Sequence, residues 1–300
     1  MKLMVLDGNS VINRAYYGVR ALTTKDGFFT NAIYGFLNIL EKLRAEEQPD
    51  ALCVAFDLKA PTFRHLQYDG YKATRHPMPD ELAMQMPVMK DVLRAMQIPI
   101  FECEGWEADD VIGTIGKRCS HAGWNCVIVT GDRDSLQLID EHVTVKLVSS
   151  KLSQTVAVNY DPAKFREEYG FDPIHLIDLK ALMGDSSDNI PGVAGVGPKT
   201  ATQLLLDYGT LDGVYAHLDA IKEKLRAKLE QGKDSAYLSY DLATIRCEAP
   251  IDFSPEDCRV QQPDNDTLYQ LFTRLEFTRQ IARYGLHAPQ ETVEAGTFAG

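Results

Sequence analysis

EGWEADDVIGTIGKRCSHAGWNCVIVTGDRDS spans residues 104–135. Glu107, Asp109 and Asp110 fall within four positions, and an apolar helical pattern follows them as far as Gly123. Acids in a first turn and glycine past the last are what the helix dipole and the C-cap favour. NCVIV (125–129) then has the length and the unbroken Val/Ile content of a strand buried on both faces. Asp132 and Asp134 come directly after it. A helix, a strand and then acids is half of a parallel α/β unit, with its chemistry at the strand's carboxyl end.

The same order recurs on either side. KLMVL (2–6) leads into Asp7, ALCVAF (51–56) into Asp57, and IPIFE (98–102) into EGWEADD. Between them, NAIYGFLNILEKLRAEE (31–47) sets Ile33, Phe36, Leu37 and Leu40 on one helical face. DELAMQMPVMKDVLRAMQ (80–97) does likewise, with Pro87 expected as a kink or break. Strands alternating with helices predict an α/β fold, a mostly parallel doubly wound sheet, over residues 1–160. Past 160 the texture is all-helical: 161–170, 173–184, 198–209, 218–232 and 235–246 read as helices punctuated by Gly and Pro. This second region is expected over 161–290, with 291–300 a tail or linker.

The composition is that of a soluble globular chain, with 45% hydrophobic and 25% charged residues among 300. The opening apolar run is too short for a signal peptide, and no stretch reaches the roughly 20 apolar residues of a membrane span. Six cysteines (53, 103, 119, 126, 247, 258) form no CxxC pair and no zinc spacing, which fits a reducing, cytoplasmic setting. The net charge of −12 argues at first against a nucleic-acid partner.

That objection weakens when the acids are placed. Asp7, Asp57, Glu107, Asp109, Asp110, Asp132 and Asp134 all follow strands, and Asp185 and Asp188 repeat an i, i+3 spacing in GDSSDNIPG. Any one of them alone is best explained as a helix cap. Nine, most on one rim, repel one another unless cations intervene. With no His or Cys among them the ligand set is hard and oxygen-only, suiting Mg²⁺, with Mn²⁺ able to substitute. Two such ions are the usual clamp for in-line attack on a phosphodiester. The remaining 34 acidic residues nearly balance the 31 Lys and Arg, which leaves room for basic patches.

Two further stretches suit nucleic acid. IPGVAGVGPKTA (190–201) has the form of a helix–hairpin–helix, spanning about 177–207 with its flanking helices. Gly192, Gly195 and Gly197 allow the tight turn, Pro198 opens the next helix, and Lys199 adds charge at an anion-binding helix start. Such a motif grips duplex backbone without reading bases. FRHLQYDGYKATRHPMPDEL (63–82) sets Arg64, Lys72 and Arg75 among Tyr68 and Tyr71, a mixture suited to a single strand with stacked bases. Arg14, on the helix after Asp7, is a further candidate phosphate contact.

Taken together, the blocks VLDGNS, VAFD, PTFRH, GYKATRHPMPDEL, EGWEADDVIGT, VTGDRDSLQL, LMGDSSDNIPGVAGVGPKTA and LFTRLEF resemble the 5′ nuclease family of flap endonucleases. The resemblance is strongest to the 5′→3′ exonuclease domains of bacterial DNA polymerase I, and it covers nearly the full chain. It implies a PIN-like core, Mg²⁺-dependent cleavage of branched DNA at 5′ flaps and ends, and products with 5′-phosphate and 3′-hydroxyl. It implies roles in primer removal and repair, with a polymerase able to follow residue 300, and a monomer. It places metal ligands at the nine acids and an arch at about 63–95. Tyr71, Lys72 and Arg75 match its phosphate-facing positions, Lys72 and Arg75 steering the scissile phosphate. It also implies a K⁺ ion at the hairpin, where Ala194 replaces the proline of many members. Two rivals stand beside it. A PIN-type ribonuclease shares the acid rim but lacks hairpin and arch, and a non-catalytic branched-DNA module would be expected to lose acids.

Overall fold

The computed structural model describes residues 1–151 and 154–289; the expected tail at 291–300 lies outside them. Six strands form one sheet: β1 (Lys2–Asp7), β2 (Ala51–Ala55), β3 (Ile100–Phe101), β4 (Asn125–Thr130), β5 (Val143–Lys151) and β6 (Gln154–Tyr160). Their order is β3-β2-β1-β4-β5-β6, parallel throughout except for the antiparallel β5–β6 pair. The chain steps outward from β1 to β2 and β3, then returns to lay β4 on the other side of β1. The switch point therefore lies between β1 and β4, where ligands of open α/β sheets bind.

Alternate residues of each strand enter different cores. Leu3, Val5, Cys53 and Ile128 pack on one face, Met4, Leu6, Val54 and Val129 on the other. Both faces are covered, so the strands are apolar without alternation. Each fully buried Leu or Val contributes about 1.5–3 kcal/mol.

One face is covered by α1 (Gly8–Gly18), α2 (Asn31–Glu47) and, beyond the short α3 (Phe63–Gln67) and α4 (Asp80–Ala83), by α5 (Gln85–Ala95). The break falls at Met84, and Pro87 sits in the first turn of α5, where its missing N–H costs nothing. α6 (Ala108–His121) covers the opposite face. It is joined there by α7 (Pro162–Tyr169), α8 (Leu176–Met183), α9 (Pro198–Tyr208), α10 (Leu211–Ala216), α11 (Glu223–Gln231) and α12 (Lys233–Ala243). Leu176, Leu182, Leu204 and Leu229 share a single core with Leu3, Val5 and Ile128, so the helical region is packed onto the sheet. α13 (Asn265–Arg274) and α14 (Thr278–Arg283) return to the first face through Leu268, Phe272 and nearby Phe277.

Several expectations differ from this arrangement. The β5–β6 hairpin went unpredicted, because its Lys, Ser, Thr and Gln residues dilute the apolar run. Its Lys146 is buried and paired with Glu47 at 2.5 Å. β3 is only two residues long; Pro99 has no N–H for a ladder, and Glu102 pairs with Lys90. The helix expected over 218–232 is interrupted where Ile221 turns extended to bury its side chain. Among the described residues no helix is long and apolar enough to cross a membrane.

Candidate active site

At the carboxyl edge of the sheet, Asp7, Asp57, Asp109 and Asp132 line one cavity of about 460 Å³, together with Asn9, Lys72 and Arg75. Three of these acids also accept hydrogen bonds from helix starts. Asp7 Oδ1 accepts from the Ser10 amide at 2.9 Å and starts α1, while its Oδ2 accepts from Thr130 Oγ1 at 2.7 Å across the switch point. Asp57 Oδ1, from the end of β2, accepts from the Ala108 amide at 2.8 Å in the first turn of α6, whose N-cap is Glu107. Asp132 Oδ1 accepts from the Asp134 amide at 2.9 Å. Cap and rim are thus one design: the hydrogen bond aims the carboxylate, and among the described residues no donor meets the second oxygen of Asp57 or Asp132.

Crowding shows in the titration of these groups. Burial, opposed by the Ser10 and Thr130 hydrogen bonds and aided by Asp57 and Asp132, pushes Asp7 up to about 7. Burial, then the charges of Asp132 and Asp7, lifts Asp109 well above the ordinary carboxylate range. A site that resists holding its negative charges is one that accepts cations. The donors are all oxygen, which fits Mg²⁺ or Mn²⁺. Among the described residues, no three carboxylate, imidazole or thiol groups are already drawn together closely enough to hold an ion.

The other five expected acids are held by protein cations. Glu107 Oε1 accepts from Lys72 Nζ at 2.7 Å, and its Oε2 accepts from the Tyr71 hydroxyl at 2.9 Å. Asp188 pairs with Arg75, and Lys72 lies 3.9 Å from it. Burial acts downward on Lys72, but Glu107 and Asp188 hold its ammonium above the ordinary lysine range. Asp134 and Asp185 share Lys180, a buried lysine of α8. Asp134 is nonetheless raised to about 7 by burial and Asp132, whereas Lys180 outweighs burial at Asp185 and holds it at about 2.

Asp110 and Arg64 require correction. Arg64 is 2% exposed and Asp110 is fully buried. Their side chains form a two-pronged pair at 2.8 Å and 2.8 Å, and Arg64 also donates to the carbonyl oxygens of Leu242 and Thr244. Asp110 accepts in addition from the amides of Glu107 and Arg246. Arg64 is therefore a buried tie between α6 and the C-terminal end of α12, not an exposed cation, and the oxygens of Asp110 are consumed. Tyr71 is likewise buried, at 4% exposure, and offers no ring for stacking. Arg14 is half-buried over Gly131, whose carbonyl accepts from its Nη2 at 3.0 Å; a Cβ on Gly131 would strike the guanidinium.

The base of the expected arch is pinned to the acidic turn. The Lys72 amide donates to Asp188 O at 2.8 Å, and Asn189 Nδ2 donates to Gly70 O at 2.7 Å. Lys72 takes a left-handed backbone (φ 54°), uncommon for a residue with a side chain. That turn is closed by paired Asp185–Ile190 hydrogen bonds of 2.9 and 2.8 Å. The hairpin follows. Gly192 is buried against Gly184, where a Cβ would lie 2.2 Å from a backbone nitrogen, while Gly195, Gly197 and Lys199 are exposed beside the start of α9. Within the hairpin to which the resemblance assigns K⁺, the Gly195 carbonyl accepts from Lys228 Nζ at 3.0 Å, so a protein ammonium stands beside it.

Sequence reasoning missed Lys180, Lys228 and Thr130. A lone lysine inside the apolar run LIDLKALMG was a usable signal, since a buried ammonium needs carboxylate partners. Lys228 lies in AIKEKLRAKLEQGK (220–233), whose mixed charge reads first as a solvated helix face and second as a stretch that could track phosphates, without singling out this lysine.

Residues 2–170 match the family described as 5′-3′ exonuclease, N-terminal resolvase-like domain, and residues 171–266 match 5′-3′ exonuclease, C-terminal SAM fold. DNA polymerase I of Caldicellulosiruptor bescii is 47% identical over 95% of this chain, and that of Bacillus subtilis 40% over 95%. These alignments cover 34% and 32% of those proteins, so the chain spans about a third of their length. Among solved structures, the T5 D15 protein co-crystallised with metal ions superposes with a TM-score of 0.65 at 20% identity, covering 95% of this chain and 99% of that one. The catalytic core of Rad2 in complex with DNA substrate gives 0.62 at 18% identity, covering 94% and 91%.

Proposed function

The chain belongs to the 5′-3′ exonuclease family, and from that membership we propose that it hydrolyses phosphodiester bonds at 5′ flaps and 5′ ends of duplex DNA. The observation that carries the proposal is the set of four carboxylates, Asp7, Asp57, Asp109 and Asp132, around one cavity that also receives Lys72 and Arg75. Two Mg²⁺ ions would be held by these acids, with Glu107, Asp134, Asp185 and Asp188 behind them, paired with Lys72, Arg75 and Lys180. When bound, such ions offset charge on the phosphate and acidify water.

The chain's own groups do the rest. Lys72 and Arg75, on the base of the arch, orient the scissile phosphate toward the acids. Asn9 and Thr130 keep Asp57 and Asp7 in place, through bonds of 3.0 Å to the Asp57 amide and 2.7 Å to Asp7 Oδ2. Gly195, Gly197 and Lys199 hold duplex backbone, so the cut is placed relative to the junction. The products carry a 5′-phosphate and a 3′-hydroxyl. The domain acts as a monomer in primer removal and repair, a context supported by relatives named DNA polymerase I.

A labelled 5′-flap duplex, incubated with and without Mg²⁺, tests this reading. Mg²⁺-dependent release of the flap with a 5′-phosphate is expected, abolished by Asp132→Asn with DNA binding kept. Preferential cutting of single-stranded RNA, or cutting that survives EDTA, would contradict it.

A further inference from the structure

The hairpin from Ile190 to Gly197 is tied down from one side. Ser239 Oγ accepts from the Gly192 amide at 2.8 Å, Ser235 Oγ donates to Gly192 O at 2.6 Å, and the Val193 amide donates to Leu182 O at 2.8 Å. These bonds fix the base. At the tip, Lys228 of α11 donates Nζ to Gly195 O at 3.0 Å. Gly195 has φ 77°, and a Cβ there would lie 2.8 Å from that nitrogen. Glycine suits the left-handed backbone here, and a side chain would displace the ammonium from the carbonyl.

Among the described residues Lys228 has no carboxylate partner, so two of its three N–H groups are uncommitted. Among the described residues, the amides of exposed Ala194, Gly195 and Gly197 likewise donate to no protein acceptor. Carbonyl, ammonium and amides occupy one exposed tip beside Lys199. An ammonium and a potassium ion carry the same charge and have similar size, and either satisfies a peptide carbonyl.

We infer that Lys228 is the hairpin's resident cation: its ammonium takes the Gly195 carbonyl that K⁺ would otherwise take and turns its remaining protons on a duplex phosphate. The grip on duplex DNA then does not depend on K⁺. The inference rests on the nuclease reading for its ligand, the backbone of a DNA duplex.

Fluorescence anisotropy of a labelled 5′-flap duplex tests it, with Ca²⁺ replacing Mg²⁺ to prevent cleavage and with K⁺ or tetramethylammonium as the monovalent cation at equal ionic strength. Wild-type Kd is expected to agree within about twofold between the two salts. Lys228→Met is expected to bind about tenfold more weakly in tetramethylammonium, with the slope of log affinity against log salt reduced by about 0.9. It should recover part of that loss in K⁺, because the freed carbonyl can then accept the ion. Wild-type affinity that rises about fivefold or more with K⁺, or Lys228→Met binding like wild type in both salts, would overturn the inference. The wild-type comparison needs no variant to fold. Absence of duplex binding in every salt would count against the nuclease reading as well, whereas K⁺-dependent binding would count against Lys228 alone.

Discussion

Asp7 carries two opposed duties. It caps α1, which favours folding, and it buries a charge beside Asp57 and Asp132, which does not. Its carboxyl is raised from 3.8 to about 7. A carboxyl raised in the folded state binds its proton more tightly there than in the unfolded chain. Asp7's own contribution to stability is therefore greatest below about pH 4, declines between pH 4 and about 7, and is lost above that. In EDTA, urea denaturation should show wild type losing about 2 kcal/mol more than Asp7→Asn between pH 5 and pH 8. Divalent cations should remove that difference. Equal pH dependence of the two proteins would show that Asp7 is not crowded. Arg64 makes a different prediction. Removing one member of a buried pair leaves the other unpaired, so Arg64→Met should cost about 3–5 kcal/mol of stability. The salt slope of DNA binding should stay unchanged, because Arg64 meets no phosphate; a shallower slope would return it to the DNA-facing set. At this scale the sequence was legible for acids that follow strands and opaque for their partners. FRHLQYDGYK shows basic and aromatic residues together, but nothing in it says that Arg64 and Tyr71 point inward while Lys72 reaches the cleft.

Elements were legible where burial was two-sided and helices had clear ends. β1, β2 and β4 appear as unbroken apolar runs because both faces of the sheet are covered. α6 shows its start through Glu107 and Asp110, each bonded to the other's turn, and its end through Gly123. Less legible were elements stabilised by distant residues. Thr30 gives α2 no side-chain cap; Gln85 supplies it from α5, accepting from the Ala32 amide at 2.9 Å and the Ile33 amide at 3.3 Å. No local pattern around residue 31 announces a cap more than fifty positions away. Gln85→Leu should therefore cost about 1–2 kcal/mol in chemical denaturation despite adding apolar surface at a fully buried position. An unchanged or raised midpoint would show that α2 does not need the cap. The β5–β6 hairpin was missed for a related reason: its polar residues, Lys146 above all, find partners on α2 that only the fold brings near.

For the whole molecule, a net charge of −12 is compatible with the proposed DNA ligand because charge is sorted by place. Four acids open onto the central cavity, Lys72, Arg75 and Lys180 neutralise others nearby, and Lys199 and Lys228 stand at the hairpin. With about four basic side chains meeting phosphates, affinity for a flap duplex should fall with a log–log salt slope of about −3.6. A slope near zero would remove electrostatics from the account. The α/β region and the helical region were readable as two textures, but not their shared core nor the return of α13 to the first face. Composition marks regions, and only packing joins them.

The central claim is that Asp7, Asp57, Asp109 and Asp132 converge in order to hold divalent cations. The most direct measurement is anomalous X-ray diffraction from crystals of the protein grown with saturating Mn²⁺. Manganese peaks are expected inside the cavity, at about 2.0–2.3 Å from oxygens of Asp109 or Asp132, and should be lost in Asp132→Asn. Crystals whose only peaks lie elsewhere on the surface, with those four carboxylates left apart, would contradict it.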